Sequence, residues 1–458
     1  MSISDSPFLY RTRTFLLAAI FVFAIVLGCN KGPAPATPDS NQASMSSPGA
    51  KSPSPAHPPA TPPPVPRVDA PDTYAPPPTP KATRPPARHR PPQTAGDRSP
   101  ASGGQHAMPP PPPPPPPVPE TAAAPAGESS PSQRDSNIVR VYYATDRQDR
   151  GTPQSPIFGP DENTDGKLAY GVAEVSIPKD HRMGNLEEPI LDIKILYNPA
   201  KYVTVLSSAE TDENTFFTRL KNQVDGAPQK EVLVFIHGFN VTFGRALRRT
   251  AQLSYDLQFP GATICYSWPS RGSLFAYTAD EDTVQWTAMH LLNFLQDVYQ
   301  RSGATSIHII AHSMGNRALL SALQLLGTSP APQFGEVVLA APDVASSLFT
   351  QLVPTVQKHA KRITLYASSR DQALVASARV NHYRRAGDSN GTVTIIPPVE
   401  TIDASSVDTG FLGHSYFGDN SSVLSDLYYL LKDGFPASKR SRLEQKTVQM
   451  GTYWAFRP

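Results

Sequence analysis

The chain has 458 residues, 52 of them proline, with 17% charged residues and a formal net charge of +2. A balance this close to neutral gives no argument for nucleic acid or for an acidic partner. Length alone suggests two or three domains, but the distribution of proline reduces that to one sizeable core.

Near the N-terminus, Arg11 and Arg13 precede an apolar run from Phe15 to Leu27 that ends Val26-Leu27-Gly28-Cys29. The run is short for a membrane-spanning helix, which needs roughly 20 residues, and normal for the core of a signal peptide. Its ending resembles a bacterial lipobox, in which the cysteine is lipidated and becomes the mature N-terminus. Residues 1–29 therefore read as a lipoprotein signal peptide, with an uncleaved signal anchor as the alternative. Either way, the rest of the chain is expected to be exported and tethered in the cell envelope.

Of the 52 prolines, 34 fall between Pro33 and Ser136, a stretch whose one aromatic residue is Tyr74. Without apolar periodicity it buries too little surface to offset the entropy of ordering. Residues 30–136 are expected to be a disordered linker, stiffened into polyproline II along Pro109–Pro117. The Gly103-Gly104-Gln105 triplet falls inside it and carries no phosphate-loop meaning.

Residues 137–433 read as one α/β domain. Short β-rich segments come first, at Ile138–Tyr143, Tyr170–Ile177, Ile193–Tyr197 and Tyr202–Leu206, and predict an antiparallel edge. Thr211 or Asp212 can cap a short helix with Phe216, Phe217 and Leu220 inward. Strands and helices then alternate: Glu231–Ile236, a helix near Arg245–Leu257, Thr263–Ser267, a helix from Asp280 to Gln300, Ile307–Ala311, and a helix over Asn316–Leu326. They continue as Val337–Ala341, a helix near Ser347–Val356, Arg362–Ala367, Thr392–Ile396 and a last helix near Val423–Leu431. Such alternation predicts a mostly parallel sheet with helices on both faces. The tail at 434–458 mixes Lys439, Arg440 and Arg442 with Tyr453, Trp454 and Phe456, and no pattern assigns it a structure.

The chemistry concentrates at Ala311-His312-Ser313-Met314-Gly315. An apolar strand ending in a serine flanked by small residues, with a helix directly after it, is the pattern of a nucleophile elbow. A serine hydroxyl needs an adjacent imidazole to take its proton, and in this arrangement the base follows the serine with the acid between them. Of the downstream histidines, His414 lies after the last strand in a loop holding Gly410 and Gly413, and is the expected base. His359 sits in a basic, solvent-facing helix end, and His382 reads as structural. Asp371, after the strand Arg362–Ala367, is the expected acid. Asp343 is the alternative, and its other reading is a helix N-cap. Asp403 and Asp408 are expected to cap or brace the His414 loop. For the oxyanion hole, the amides of Met314 and Phe239 are the candidates, the latter in the loop His237-Gly238-Phe239-Asn240 after an earlier strand. His237 precedes the serine and is expected to brace that loop.

His237–Asn240, Ser267-Trp268-Pro269-Ser270-Arg271-Gly272, Ala311–Arg317, Ala340-Ala341-Pro342-Asp343, Leu365–Leu374 and Gly413-His414-Ser415-Tyr416 together resemble an uncharacterised bacterial family of the α/β-hydrolase superfamily, esterase- or lipase-like. The likeness runs from about Val141 to Leu431. It implies the α/β-hydrolase fold, with Ser313 as nucleophile and His414 as base, and Asp343 and Asp371 both fall in matching motifs. The expected activity is that of a serine hydrolase working through an acyl-enzyme, on a carboxylic ester in an acyl-containing small molecule or lipid. A thioesterase, amidase or acyltransferase would use the same residues. The rival class is an inactive hydrolase fold serving as an envelope binding or scaffold protein.

The segment Trp268–Tyr277 reads equally as a wall of the acyl pocket and as a packed crossover. Arg245, Arg248 and Arg249 read as a solvated helix face. Cys265, in an apolar run, reads as a buried, inert thiol, and with Cys29 lipidated it has no disulfide partner. No cofactor fingerprint or metal-ligand spacing occurs in the sequence. Metabolic labelling with palmitate is expected to mark the wild-type chain and to be lost in Cys29→Ser; label that persists in the variant overturns the lipid anchor.

Overall fold

The computed structural model describes residues 137–189, 196–273, 276–327, 332–407 and 414–457. The signal peptide expected at 1–29 with Cys29, the linker expected at 30–136, most of the strand expected at Ile193–Tyr197, Asp408, and the loop glycines Gly410 and Gly413 lie outside the described residues.

The chain enters through β1 (Ile138–Thr145), a small separate hairpin of β2 (Arg147–Asp149) and β3 (Phe158–Glu162), then β4 (Ala169–Ser176) and β5 (Thr204–Thr211). Helix α1 (Glu213–Gly226) follows, and Asp212 caps it by accepting the Thr215 N–H at 3.0 Å. Strands and helices then alternate as β6 (Glu231–Ile236), α2 (Phe243–Asp256), β7 (Ala262–Ser267), α3 (Tyr277–Arg301), β8 (Ser306–His312) and α4 (Gly315–Leu325). Next come β9 (Phe334–Ala340), α5 (Ser346–Val356), β10 (Ala360–Ala367), α6 (Gln372–Asn381) and β11 (Glu400–Asp403). Helices α7 (Tyr416–Asp419) and α8 (Ser421–Asp433) precede a closing hairpin of β12 (Leu443–Val448) and β13 (Gly451–Phe456).

Eleven strands form one sheet in the order β12-β13-β11-β10-β9-β8-β6-β7-β1-β4-β5. From β1 through β13 the neighbours pair parallel, whereas β1/β4, β4/β5 and β12/β13 pair antiparallel. The antiparallel N-terminal edge is present as expected. Side chains alternate across the central strands, and this places a core on each face. Val232, Val234 and Ile236 pack with Leu291, Leu319 and Phe349 on one side, while Leu233 and Phe235 pack with Leu253 and Leu427 on the other. Helices therefore cover both faces, which is why the central strands read as continuous apolar runs.

The order of strands also fixes where a site can form. From β6 the chain moves outward to β7, and then returns to lay β8 against the other side of β6. The turns leaving β6 and β8 are consequently neighbours at the carboxyl end of the sheet, the crevice where open α/β sheets hold their ligands.

Several expectations change. No strand forms at 392–396; the place beside β10 is taken by Glu400–Asp403. Pro397 and Pro398 lack N–H donors, so ladder pairing begins only beyond them, and Thr394 instead accepts the Thr401 hydroxyl at 2.7 Å. The tail at 434–458 packs: β13 extends the sheet beside β11, and fully buried Arg440 bonds Asp426 (2.7 Å) and Glu400 (2.8 Å). His359 is not solvent-facing but completely buried, bonded to the carbonyls of Gly327 and Pro332. Nor do the three arginines of α2 form a solvated face. Arg245 pairs with Glu188 at 2.7 Å, Arg248 is buried with its guanidinium 4.3 Å from the Tyr197 ring centre, and Arg249 pairs with Asp419 at 2.7 Å. Long basic side chains here bury their stems and find partners at the tip. Among the described residues, no helix is long and apolar enough to cross a membrane.

Candidate active site

Ser313 stands at the turn between β8 and α4 with φ of +52°, a left-handed conformation that costs a non-glycine residue roughly 1–3 kcal/mol. The turn is held from several sides. The Ser313 N–H bonds Ala340 O at 2.9 Å, and the Ser313 carbonyl accepts the N–H groups of Asn316 and Asp343. The Asn316 side chain donates to Ala311 O and Ser313 O at 3.1 and 3.0 Å. Asn316 carries no catalytic signature in the sequence beyond an amide three residues past the elbow serine, and its bracing role is visible only in the folded turn.

The small residues are required by close approach. A Cβ on Gly315 would lie 2.4 Å from His237 O, and one on Gly238 would lie 2.8 Å from Ser313 Cβ. The turn after β6 therefore presses its backbone directly against the elbow. Ala311 is fully buried and fits with its single methyl group.

Three residues distant in sequence meet at the serine. His414 Nε2 lies 2.7 Å from Ser313 Oγ, and His414 Nδ1 lies 2.8 Å from Asp371 Oδ2 and 3.0 Å from Oδ1. Asp371 is also the N-cap of α6, its Oδ1 accepting the Leu374 N–H at 3.0 Å. One carboxylate thus starts a helix and receives the imidazole, and the helix bond fixes its rotamer. With Nδ1–H given to Asp371, Nε2 is left to accept the serine proton. An arrangement of this kind can deprotonate a hydroxyl as it attacks a carbonyl.

His414 is itself held from behind. His312 donates its Nε2–H to His414 O at 3.0 Å, and the His312 ring packs against those of His414 and Phe417, with 4.8 and 4.4 Å between ring centres. Arg249 and Gln252 of α2 both donate to Gly418 O at 3.1 Å, anchoring the short helix that begins two residues after His414.

Asp343 is placed elsewhere. Its carboxylate bonds Tyr277 (2.7 Å), Arg317 (3.2 Å) and Arg385 (3.1 Å), and also Ser377. It does not cap α5, whose N-cap is Ala345. Instead it gathers α3, α4, α6 and the chain before β11 around one buried charge. Asp403 accepts the Ser405 N–H at 3.1 Å and the Ser389 hydroxyl at 3.0 Å, bracing the turn after β11.

The two candidate oxyanion amides stand on the two adjoining turns. Met314 is buried at the start of α4, and Phe239 packs edge-on against Tyr277 with 5.3 Å between ring centres. Of the segment from Trp268 to Tyr277, Trp268 is fully buried and stacks on His237, whereas Tyr277 backs Phe239. Cys265 is buried, and burial pushes its thiol up to about 12, so it stays protonated. Among the described residues, no group of three or more His, Cys, Asp or Glu side chains is placed to hold a metal ion.

Charge distinguishes the imidazoles of His237, His312 and His414. Burial, and next the charge on Arg147, lower His237 to about 3. Burial, and next the charge of His414, take His312 well below the usual histidine value. For His414, burial also opposes the charged ring, but the Asp371 carboxylate, with Asp343 behind it, outweighs burial and raises the value above the ordinary 6.5. The His414 side of the pairing therefore adds stability that is present below the ordinary 6.5 and is lost as pH rises through the raised value, while burial also raises Asp371, so the ion pair is lost again once that carboxylate protonates in acid.

A family model described as an alpha/beta hydrolase of unknown function (DUF900) matches residues 212–431, from the cap of α1 into α8. No curated protein matches the chain in sequence. Among solved structures, one similar chain is a protein of the alpha/beta hydrolase superfamily from Xanthomonas campestris pv. campestris. It shares 14% identity over 45% of this chain and 99% of that one, with a TM-score of 0.24. A siderophore hydrolase from Aspergillus nidulans shares 13% identity over 68% and 99% of the two chains, with a TM-score of 0.29. A Trichoderma reesei cutinase with a bound phosphonate inhibitor shares 13% over 46% and 89%, with a TM-score of 0.22. With TM-scores of this size, these structures add nothing to the topology above.

Following the imidazole ¹⁵N shifts through a pH titration should place His414 above 6.5. In Asp371→Asn, burial acts without its counter-charge and the value should fall below 6.5. A wild-type value at or below 6.5 contradicts the pairing.

Proposed function

We propose that this chain, which belongs to the alpha/beta-hydrolase family of unknown function, is a serine hydrolase that works through an acyl-enzyme. The observation that carries this reading is the relay on a strained turn: Ser313 Oγ at 2.7 Å from His414, and His414 at 2.8 Å from buried Asp371. Ser313 attacks the substrate carbonyl while His414 Nε2 takes its proton. Asp371 keeps Nδ1–H in place and stabilises the imidazolium that forms. The negative oxygen of the tetrahedral intermediate is received by the Phe239 and Met314 amides. His414 then gives its proton to the leaving group, and the acyl group stays on Ser313 until water, activated by the same imidazole, releases it.

A carboxylic ester is the proposed substrate class, since its alcohol can leave once His414 returns the serine's proton to the leaving oxygen. Thioesters, amides and acyl transfer to a second alcohol need no further residue. The raised value of His414 supports an acidic limb of activity above 6.5, because the base must be neutral to act. In its setting, the domain is proposed to hang from a lipidated Cys29 in the bacterial envelope, acting on acyl compounds or lipids within reach of the linker.

A scaffold without turnover has no need of a serine held in a left-handed turn against an imidazole. A fluorophosphonate probe with mass mapping distinguishes the two. The adduct is expected on Ser313 in folded wild-type protein and is expected to vanish in Ser313→Ala. Folded wild-type protein that takes no label there removes the enzymatic reading.

A further inference from the structure

The segment Ser267–Gly272 and the buried residues behind it take no part in the chemistry above, yet they converge on the turn that carries Phe239. Arg147 is 1% exposed, and its guanidinium donates to Gly159 O, Ser270 O and Val241 O, each at 2.9 Å. Its Nε–H donates to Ser267 Oγ at 3.0 Å, and Ser267 Oγ lies 3.2 Å from His237 Nε2. His237 Nδ1 lies 2.8 Å from Gly238 O, while Trp268 Nε1 donates to His237 O at 2.7 Å and stacks on the imidazole.

The protons in this set have one consistent arrangement. Gly238 O can only accept, so Nδ1 of His237 carries the hydrogen. A neutral ring then accepts at Nε2, where Ser267 donates at 3.2 Å with Arg147 Nη2 a longer 3.5 Å away, and Ser267 receives the Arg147 Nε–H on its own oxygen. The hydrogen bonds run in one direction, from Arg147 through Ser267 and His237 to the carbonyl of Gly238. Beyond it, Val241 N donates to Ser270 Oγ at 3.3 Å, and Ser270 Oγ donates to Asp280 at 2.7 Å. Both ends of the turn are pinned.

The consequence lies in a single peptide unit. Gly238 C=O and Phe239 N–H belong to the same planar trans peptide and point in opposite directions. Holding that carbonyl on His237 turns the Phe239 N–H away from the imidazole. If the carbonyl were free to rotate, it would present oxygen where the developing negative charge needs a donor. We propose that Arg147, Ser267 and His237 are positioning residues whose relay fixes the Gly238–Phe239 peptide, and with it the Phe239 half of the oxyanion hole. The inference rests on the proposed hydrolase activity and on the role given there to Phe239. It also accounts for a buried guanidinium whose bonds go to carbonyls, a hydroxyl and an imidazole. A charge so placed is costly to bury, and its field favours negative charge at the neighbouring turn.

The test compares His237→Phe, which keeps a ring on Trp268 but has no donor, with His237→Asn, whose amide nitrogen can occupy the place of Nδ1. On a short-chain p-nitrophenyl ester, His237→Phe is expected to lower kcat by about 10²–10³, with KM little changed. His237→Asn is expected to recover much of that loss. Crystal structures of the variants should show the Gly238–Phe239 peptide rotated or split in His237→Phe and retained in His237→Asn. Equal kcat losses in the two variants, or an unmoved peptide in His237→Phe, overturn the relay. If His237→Phe does not fold, Ser267→Ala serves instead: kcat should fall about tenfold, the equivalent of one hydrogen bond, and an unchanged kcat and peptide overturn the relay. Absence of Ser313-dependent turnover in wild-type protein is a different failure, that of the hydrolase reading, and the peptide orientation still decides the relay.

Discussion

Two backbone turns lie in contact at the carboxyl end of the sheet, with no room for a side chain between them. One leaves β6 at His237-Gly238, the other leaves β8 at Ser313. The reversal of strand order between β6 and β8 makes them neighbours, and the contact then dictates local sequence. Gly238 and Gly315 cannot carry a Cβ, and Ser313 must accept a left-handed φ. Two turns this close also bury their own polar groups, which have to find partners inside the protein. Asn316 meets this need on the elbow side, and Trp268, Ser267, Ser270 and Arg147 meet it on the other.

The second half of the site reaches Ser313 from far along the chain. His414 is fixed at Nδ1 by Asp371, at its carbonyl by His312, and through Gly418 by Arg249 and Gln252. Each of these partners also belongs to a regular element: the cap of α6, the end of β8 and the buried side of α2. Electrostatics then narrows where a proton can rest. His237 and His312 are kept neutral by burial and a nearby positive charge, while His414 alone has a carboxylate against its ring. Of these three imidazoles, only the one against the serine is placed to hold a charge.

Much of this was legible in the sequence because it follows from period and order. The apolar strands β6 to β10 and the helices between them are strong local signals, and the elbow around Ser313 is marked by its flanking small residues. Position after the later strands marks His414 and Asp371, and in the structure His414 meets Ser313 while Asp371 meets His414. Long-range pairing was what the sequence concealed. Asp371 announces both an acid and a helix cap, and only the first was read, so α6 went unseen. The basic run around His359 and the arginines of α2 looked like surface until the segments covering them were in place. The prolines at 397 and 398 moved a strand past its apolar peak, and the tail's strands depend on an edge that only the folded sheet supplies. The relay from Arg147 to Gly238 spans about ninety residues of sequence and has no local signature.

If the proposed chemistry holds, Ser313 becomes covalently acylated during turnover. Intact-protein mass spectrometry on samples quenched in acid while a p-nitrophenyl ester is being consumed tests this directly. A population heavier by one acyl group is expected, with the added mass on the peptide containing Ser313. Turnover with unmodified protein throughout, or with the acyl group on another residue, would contradict it.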